Sequence, residues 1–403
     1  MMKVLEPGML GGVELPNRIL RSATFEGLAD EDGMVGQELG DMYFNLARNQ
    51  VGGIITGFLY INKEGRAIHP GQAGLDSDAK IRPFKKITDK VHETSSKIFA
   101  QLAHAGRQTS RRATGGFLWG VSPKRSSYFG GTPDILSTGQ ALEIAEDFAR
   151  AALRAREAGF DGIQIHAAHG YLVHQFILPN INNRKDQFGV DPVTGIGTAF
   201  VDAVISSVRT LCGDDFPILF KLSGGDKSAK SFTPEMLLHL VRFLNAKNID
   251  GIEISHGTME QAFNIFRGAS IPVKAILNHN YKYKTTSKVK QFVLKNILFP
   301  LVARGFNPFT PCYNLAYARE AKKVGDIPVI TVGGFRTGDQ IEAALDEGSA
   351  DFVALARPLL CEPDFVSKII NNVEYQSVCS NCNQCAVMCD SPQPTRCYDP
   401  RSK

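Results

Sequence analysis

Pro328-Val329-Ile330-Thr331-Val332-Gly333-Gly334, then an amphipathic stretch over residues 337–346, then Asp351-Phe352-Val353-Ala354-Leu355-Ala356-Arg357, form the passage that decides the fold. A short β-branched run, a stretch with helical period and a second short apolar run predict two parallel strands joined by a helical crossover. The helical stretch closes on Glu347-Gly348-Ser349-Ala350-Asp351, where the glycine suits a C-cap just before the next strand. Working back towards the N-terminus, six more runs of this kind occur at 18–23, 53–59, 97–103, 162–167, 217–222 and 251–255. Helical stretches are expected at 37–49, 81–96, 141–158, 199–211 and 234–245. Eight strand and helix units close into a ring more naturally than into an open sheet, so the chain reads as α/β, a (β/α)8 TIM barrel. Chemistry in such a barrel belongs at the C-terminal ends of the strands.

Those ends carry unusual residues. The fourth run continues as Ile165-His166-Ala167-Ala168-His169-Gly170-Tyr171-Leu172. Two histidines three apart can polarise a substrate carbonyl while Tyr171 supplies a proton. The competing reading is two buried histidines satisfied by backbone carbonyls, and no third ligand at a recognisable spacing argues for a metal there. Gly333-Gly334 after the seventh run and Arg357 after the eighth suit a phosphate site, where glycine lets backbone N–H groups approach the oxygens. Gln101 ends the third run and Lys221 the fifth. A buried amide and a cation suit a flavin ring, whose reduced form is negative near N1. Either residue could instead be structural, the lysine paired to a carboxylate, and Lys221 also admits a Schiff-base role.

Composition narrows the partners. A hydrophobic share of 43% and a charged share of 21% describe a globular chain with a large core. Lys+Arg total 45 against Asp+Glu 41, without basic runs of the kind that track nucleic acid, so no nucleic-acid partner is expected. No apolar run approaches the ~20 residues of a membrane span, and no secretory signal is evident, so a cytoplasmic location without a membrane partner is the expectation. Two stretches exceed a minimal barrel: residues 115–139, expected as a long loop or hairpin on the active face, and 256–310, read as a lid, an assembly surface or a solvated insertion.

Taken together, the motifs resemble those of the Old Yellow Enzyme or NADH:flavin oxidoreductase family, whose members are FMN-binding barrels. The resemblance covers residues 1–371 in order. It runs through Leu15-Pro16-Asn17-Arg18, Ser22-Ala23-Thr24, Gly53-Ile54-Ile55-Thr56-Gly57, Gln101-Leu102-Ala103-His104-Ala105-Gly106-Arg107, the His166 to Leu172 motif, Asn183-Arg184-Lys185-Asp186-Gln187-Phe188-Gly189, Gly333-Gly334 and Ala356-Arg357. The resemblance implies that Ala23, Thr24, Gly57 and Gln101 border the isoalloxazine, that Lys221 lies by its N1 and O2 edge, and that Gly333, Gly334, Ala356 and Arg357 hold the phosphate. It further implies that His166 and His169 anchor the carbonyl of an unsaturated small-molecule substrate. Tyr171 then gives the proton while hydride passes from flavin N5 to an activated C=C bond, with NAD(P)H as electron donor. Lys221 stands where arginine is common, and Phe188 and Val190 replace the usual Tyr and Gly. A homo-oligomer is expected.

Residues 373–403 form a separate cysteine-rich segment after a barrel of 1–372. Their spacing is Cys379-x2-Cys382-x2-Cys385-x3-Cys389-x7-Cys397. The larger family members, similar to 2,4-dienoyl-CoA reductase and trimethylamine dehydrogenase, carry a 4Fe-4S cluster at this place. That likeness implies Cys379, Cys382, Cys385 and Cys397 as ligands, with Cys389 as a spare; four thiolates also suit zinc. No dinucleotide fingerprint follows the cysteines, so electrons are expected either from a separate electron-donor protein or subunit through the cluster or from NAD(P)H directly. Rival functions are an amine dehydrogenase on the same scaffold, against which the single Trp119 counts, an aldolase using Lys221, and a non-catalytic electron-transfer subunit.

Overall fold

A computed structural model describes residues 2–226 and 231–400; Met1 and residues 401–403, the outer ends of the two expected segments, lie outside the described residues. The eight expected strands form: β1 (Ile19–Arg21), β2 (Gly53–Ile55), β3 (Lys97–Ala103), β4 (Gly162–Ala167), β5 (Ile218–Ser223), β6 (Gly251–Ser255), β7 (Val329–Val332) and β8 (Phe352–Leu355). All pair in parallel in the order β2-β1-β8-β7-β6-β5-β4-β3, and β2 with β3 closes the ring. The chain is therefore a (β/α)8 barrel.

Six helices form where the apolar period predicts them, α1 (Gln37–Arg48), α2 (Ile81–His92), α3 (Thr138–Glu157), α4 (Ala199–Cys212), α5 (Pro234–Ala246) and α7 (Gly338–Asp346), and α6 (Leu315–Lys322) and α8 (Phe365–Asn371) complete the outer layer. Local chemistry sets their starts. Ser137 and Gln140 form a capping box at α3, and Thr233 caps α5 with Pro234 in its first turn. Gly348 at φ +65° supplies the left-handed turn that α7 needs before β8.

Strands β4, β5 and β6 are buried at every residue. Helices cover one face and the barrel interior the other, which is why these runs read as continuously apolar. At the N-terminal end a hairpin of Gly8–Leu10 and Val13–Leu15 plugs the ring, and its Leu10 and Leu15 pack with Leu20, Ile55, Phe99, Leu219, Ile330 and Phe352 inside the barrel. The opposite end stays open for chemistry.

Three excursions surround that mouth. Residues 115–139 are a loop and not a hairpin, because the short strands Trp119–Gly120 and Asp134–Ile135 pair in parallel. The insertion between β6 and α6 folds as a lid. Its helices Ala262–Ile265, Val273–His279, Lys288–Val293 and Phe299–Ala303 gather a small core of Ala275, Ile276, Leu277, Leu294 and Phe299 with Val387 of the tail. The cysteine-rich tail returns across the mouth as a strap. It is fixed by Ser377 N–H to the Arg336 carbonyl (2.8 Å), Thr395 N–H to the Glu26 carbonyl (2.7 Å) and His69 Nδ1 against the Cys389 carbonyl (2.7 Å). Among the described residues no helix is long and apolar enough to cross a membrane.

Candidate active site

Strand ends, lid and strap enclose a cavity of about 360 Å³. Ala23, Thr24, Gln101, His166, His169, Tyr171, Lys221, Gly333, Gly334, Ala356 and Arg357 all line it. Gly57 does not. Its N–H is taken by the buried Glu26 carboxylate (2.7 Å), which also accepts from Arg21 and Tyr43, and the next residue, Phe58, faces the cavity.

The floor is a chain of buried polar groups. Gln101 Nε2 donates to Gln164 Oε1 (2.6 Å), and Gln164 Nε2 donates to Glu253 Oε2 (2.9 Å). Glu253 Oε1 accepts from Lys221 Nζ (2.6 Å) and from Ser22 Oγ (2.5 Å). Strand register creates this chain, since Gln101 lies beside Gln164 and Lys221 beside Glu253 on neighbouring strands. Burial lowers the Lys221 pKa while Glu253 opposes that shift. An ammonium in a buried ion pair is a poor amine nucleophile, so the Schiff-base reading finds no support in its surroundings.

One wall carries the histidines. His169 takes the left-handed conformation (φ +60°), with its N–H on Ser223 Oγ (3.2 Å) and its Nε2 2.8 Å from Ser255 Oγ. The His166 ring stands edge-on to His169 at 5.0 Å and to Tyr171 at 4.8 Å, and its buried Nδ1 has no hydrogen-bond partner among the described residues. A buried donor or acceptor left open in this way is a place for a ligand atom. Burial first, then the charge of nearby cations, holds both histidines well below their ordinary pKa, so they are neutral at pH 7. Tyr171 stacks on Phe58 at 5.4 Å, and burial, with Asp390 nearby, pushes its phenol up, so it is protonated at neutral pH.

Two further histidines, His104 and His174, are held down to about 3 by burial alone. Unfolding exposes both to water, where they take up protons near pH 6.5. Their folded pKa is lowered, so stability is intact above pH 6.5 and falls as the pH drops from there towards 3. The slope gives a loss of about 2 kcal/mol for each of the two by pH 5. Denaturant melts at pH 7 and pH 5 should show this, and His104→Gln should reduce the difference; equal stability at both pH values would refute it.

The opposite wall suits a phosphate. Gly333 and Gly334 have φ of +125° and +90°, and a Cβ on Gly334 would meet the Cys312 backbone nitrogen at 2.6 Å. Arg336 and Arg357 are both buried here, and Arg357 helps burial to lower the Arg336 pKa to about 10. Arg357 Nη1 donates to Asn383 Oδ1 (2.6 Å), and Arg336 Nε donates to Asn381 Oδ1 (3.1 Å), both asparagines belonging to the strap. Two neighbouring guanidiniums held by neutral amides leave their charge for an anion.

The strap divides its cysteines. Cys379, Cys382, Cys385 and Cys397 border a second, smaller hollow together with Cys361, whose Sγ is 3.7 Å from that of Cys397. Cys385 lines the main cavity as well, and Cys389 lines the main cavity and not the smaller hollow, its Sγ 3.7 Å from Thr395 Oγ1. Among the described residues no three His, Cys, Asp or Glu side chains converge as a metal-ion site.

Several site residues escape a reading of the sequence. Gln164 and Glu253 are polar interruptions of apolar strands, a visible signal. Arg336 follows the Gly-Gly pair by two positions. Asp390 gives no signal: its Oδ2 accepts from Tyr128 OH (2.7 Å) and Asn280 Nδ2 (3.1 Å), and its Oδ1 lies 3.3 Å from His69 Nδ1, partners from three distant segments.

A closed parallel barrel with its polar groups gathered at the C-terminal ends of the strands has the architecture of barrel enzymes. The chain belongs to the NADH:flavin oxidoreductase / NADH oxidase family, whose model matches residues 3–298 and 275–376. It is 31% identical over 379 residues to an NADH oxidase of Thermoanaerobacter brockii, covering 93% of this chain and 52% of that protein, so the chain spans about half the length of that relative. It is 28% identical over 365 residues to an NADPH dehydrogenase of Bacillus subtilis, covering 90% and 93%. A solved 2-naphthoyl-CoA reductase in complex with 2-naphthoyl-CoA shares the fold with a TM-score of 0.82 at 20% identity, over 99% of this chain and 57% of that one.

Proposed function

We propose that the protein uses FMN to reduce a C=C bond conjugated to a carbonyl, as in an enone or an enoyl thioester. The observation that carries this reading is the convergence of His166, His169 and a protonated Tyr171 on one wall of the cavity, facing the glycine and arginine corner. Gln101 and Lys221 would face the flavin ring, and Gly333, Gly334, Ala356, Arg336 and Arg357 would hold its phosphate. FMN held by these residues would supply hydride chemistry, with NAD(P)H or a protein partner as the source of its electrons. His166 and His169, both neutral, hold the substrate carbonyl by hydrogen bonds and so favour the negative charge that develops on its oxygen. Tyr171 gives its proton to the α-carbon, and its raised pKa keeps that proton available across neutral pH. Closure by lid and strap excludes water from these groups. Trp119, the one tryptophan of the chain, donates to Glu64 and does not line the cavity, so no indole face is offered there to the cation of an amine substrate.

The test is an anaerobic half-reaction. The FMN-loaded protein, fully reduced, is mixed with 2-cyclohexenone or with a conjugated enoyl thioester. Flavin reoxidation with an equivalent of saturated product is expected, and failure of every conjugated carbonyl to reoxidise it would overturn the reading.

Within the same proposal, residues 1–372 are the flavin barrel and 373–403 a segment that holds a 4Fe-4S cluster through Cys379, Cys382, Cys385 and Cys397. The support is chemical: the four thiols of the spacing border one hollow, and soft thiolates suit iron-sulfur clusters. Protein purified without oxygen should carry about four iron and four sulfide per chain. Cys382→Ser should lose them and Cys389→Ser should keep them. Zinc in place of iron would assign the thiols to a tetrahedral zinc site.

A further inference from the structure

Between Glu260 and Glu320 the chain has nine Lys or Arg and no Asp or Glu. The formal charge of the whole chain is only +4, so everything outside this segment is net negative. The basic segment is the lid. Its last helical run, Lys288–Val293 continued by Leu294–Leu298 and Phe299–Ala303, turns its apolar side chains outward. Val289, Phe292, Ile297 and Leu301 are 77%, 66%, 53% and 53% exposed, and within residues 288–303 only Leu294 and Phe299 are buried. Positions 289, 292, 297 and 301 fall within one broad face, with Lys288, Lys290 and Lys295 exposed beside it. A contiguous apolar face rimmed by cations marks an interaction surface and not a solvated helix.

We infer that this helix lies on an anionic lipid surface, with Phe292 and Leu301 in the headgroup boundary and the lysines over the lipid phosphates. Charge complementarity selects this occupant. A second copy of the chain would press two acid-free basic lids together across a two-fold axis, which like charges oppose. The face also runs to the lip of the cavity, since Val302 is both exposed and part of the cavity wall. A protein cover would seal that lip, whereas a lipid surface leaves an apolar path into the site. The run is too short to span a bilayer, and the geometry points to a helix that lies flat.

The test uses the FMN-loaded full chain and sucrose-loaded vesicles of phosphatidylcholine, alone or in equal parts with phosphatidylglycerol. Co-sedimentation with the anionic vesicles should exceed that with phosphatidylcholine by at least about tenfold, and the excess should shrink as salt rises. Phe292→Asp with Leu301→Asp should abolish binding while leaving turnover of soluble substrates unchanged, because neither side chain lines the cavity. Charge reversal at Lys288, Lys290 and Lys295 should remove the anionic preference. Absence of wild-type binding at low salt, or equal binding by the wild type and both variants, would overturn the assignment. So would a wild-type dimer that the Asp variant converts to monomers without any vesicle binding, since the face would then belong to a second copy. Sedimentation reads docking without turnover, so its failure and a failure of C=C reduction are separately visible.

Discussion

Tyr171→Phe slows the oxidative half-reaction by about 10²- to 10⁴-fold, the ordinary contribution of a positioned general acid, and leaves flavin reduction nearly unchanged. The ring keeps its stacking on Phe58 and its edge contact with His166, so only the phenolic hydroxyl is removed. A buried Phe in place of a buried Tyr preserves volume, and the fold should persist. Stopped-flow measurement of both half-reactions checks this. Equal loss in the two half-reactions would mean that Tyr171 positions the cofactor or the wall and is not the proton donor. Since burial raises the pKa of the phenol, the wild-type oxidative rate should also show no decline attributable to Tyr171 up to pH 9, whereas an ordinary tyrosine near 10 would begin to lose its proton there.

Glu253→Gln should destabilise the protein by about 3–5 kcal/mol, the cost of leaving one member of a buried ion pair uncompensated. Glu253 is wholly buried and accepts from Lys221, Ser22 and Gln164 together. A carboxylate meets three donors easily. An amide offers one acceptor oxygen and sets its own N–H groups against the Lys221 ammonium or the Gln164 amide. The double variant Glu253→Gln with Lys221→Met removes the stranded charge and should recover part of the loss, a non-additivity that denaturant melts of the three variants would reveal. A loss below about 1 kcal/mol for Glu253→Gln would show that the pair is screened by water, contrary to its burial.

The ring of eight strands was readable because both faces of each strand are covered, which turns strands into apolar runs with clear ends. The barrel rule then made His166, His169, Tyr171 and Lys221 legible, since it directs attention to polar groups at the C-terminal ends of the runs, and these four line the cavity. Gly57 illustrates the limit. Glu26, three residues past the first run, needs buried donors and draws the Gly57 N–H to itself, a tertiary demand with no local trace. The same holds for Asp390, whose partners come from segments that meet only once the strap has crossed the barrel. The parallel pairing of Trp119–Gly120 with Asp134–Ile135 likewise follows from how the loop is held, with Arg111 bonded to Asp134, and not from turn residues.

Asn381 and Asn383 lie in the turn between Cys379 and Cys385, both in the left-handed conformation, and each grips one arginine of the phosphate corner. The turn and the corner thus share three side-chain hydrogen bonds and one set of backbone torsions. Any group that fixes the sulfur-bearing turn also prepays the ordering of Arg336 and Arg357, and any anion that fixes the arginines prepays the ordering of the turn. Thermodynamic reciprocity makes these two effects equal in size, so occupancy of either hollow must be felt as affinity in the other.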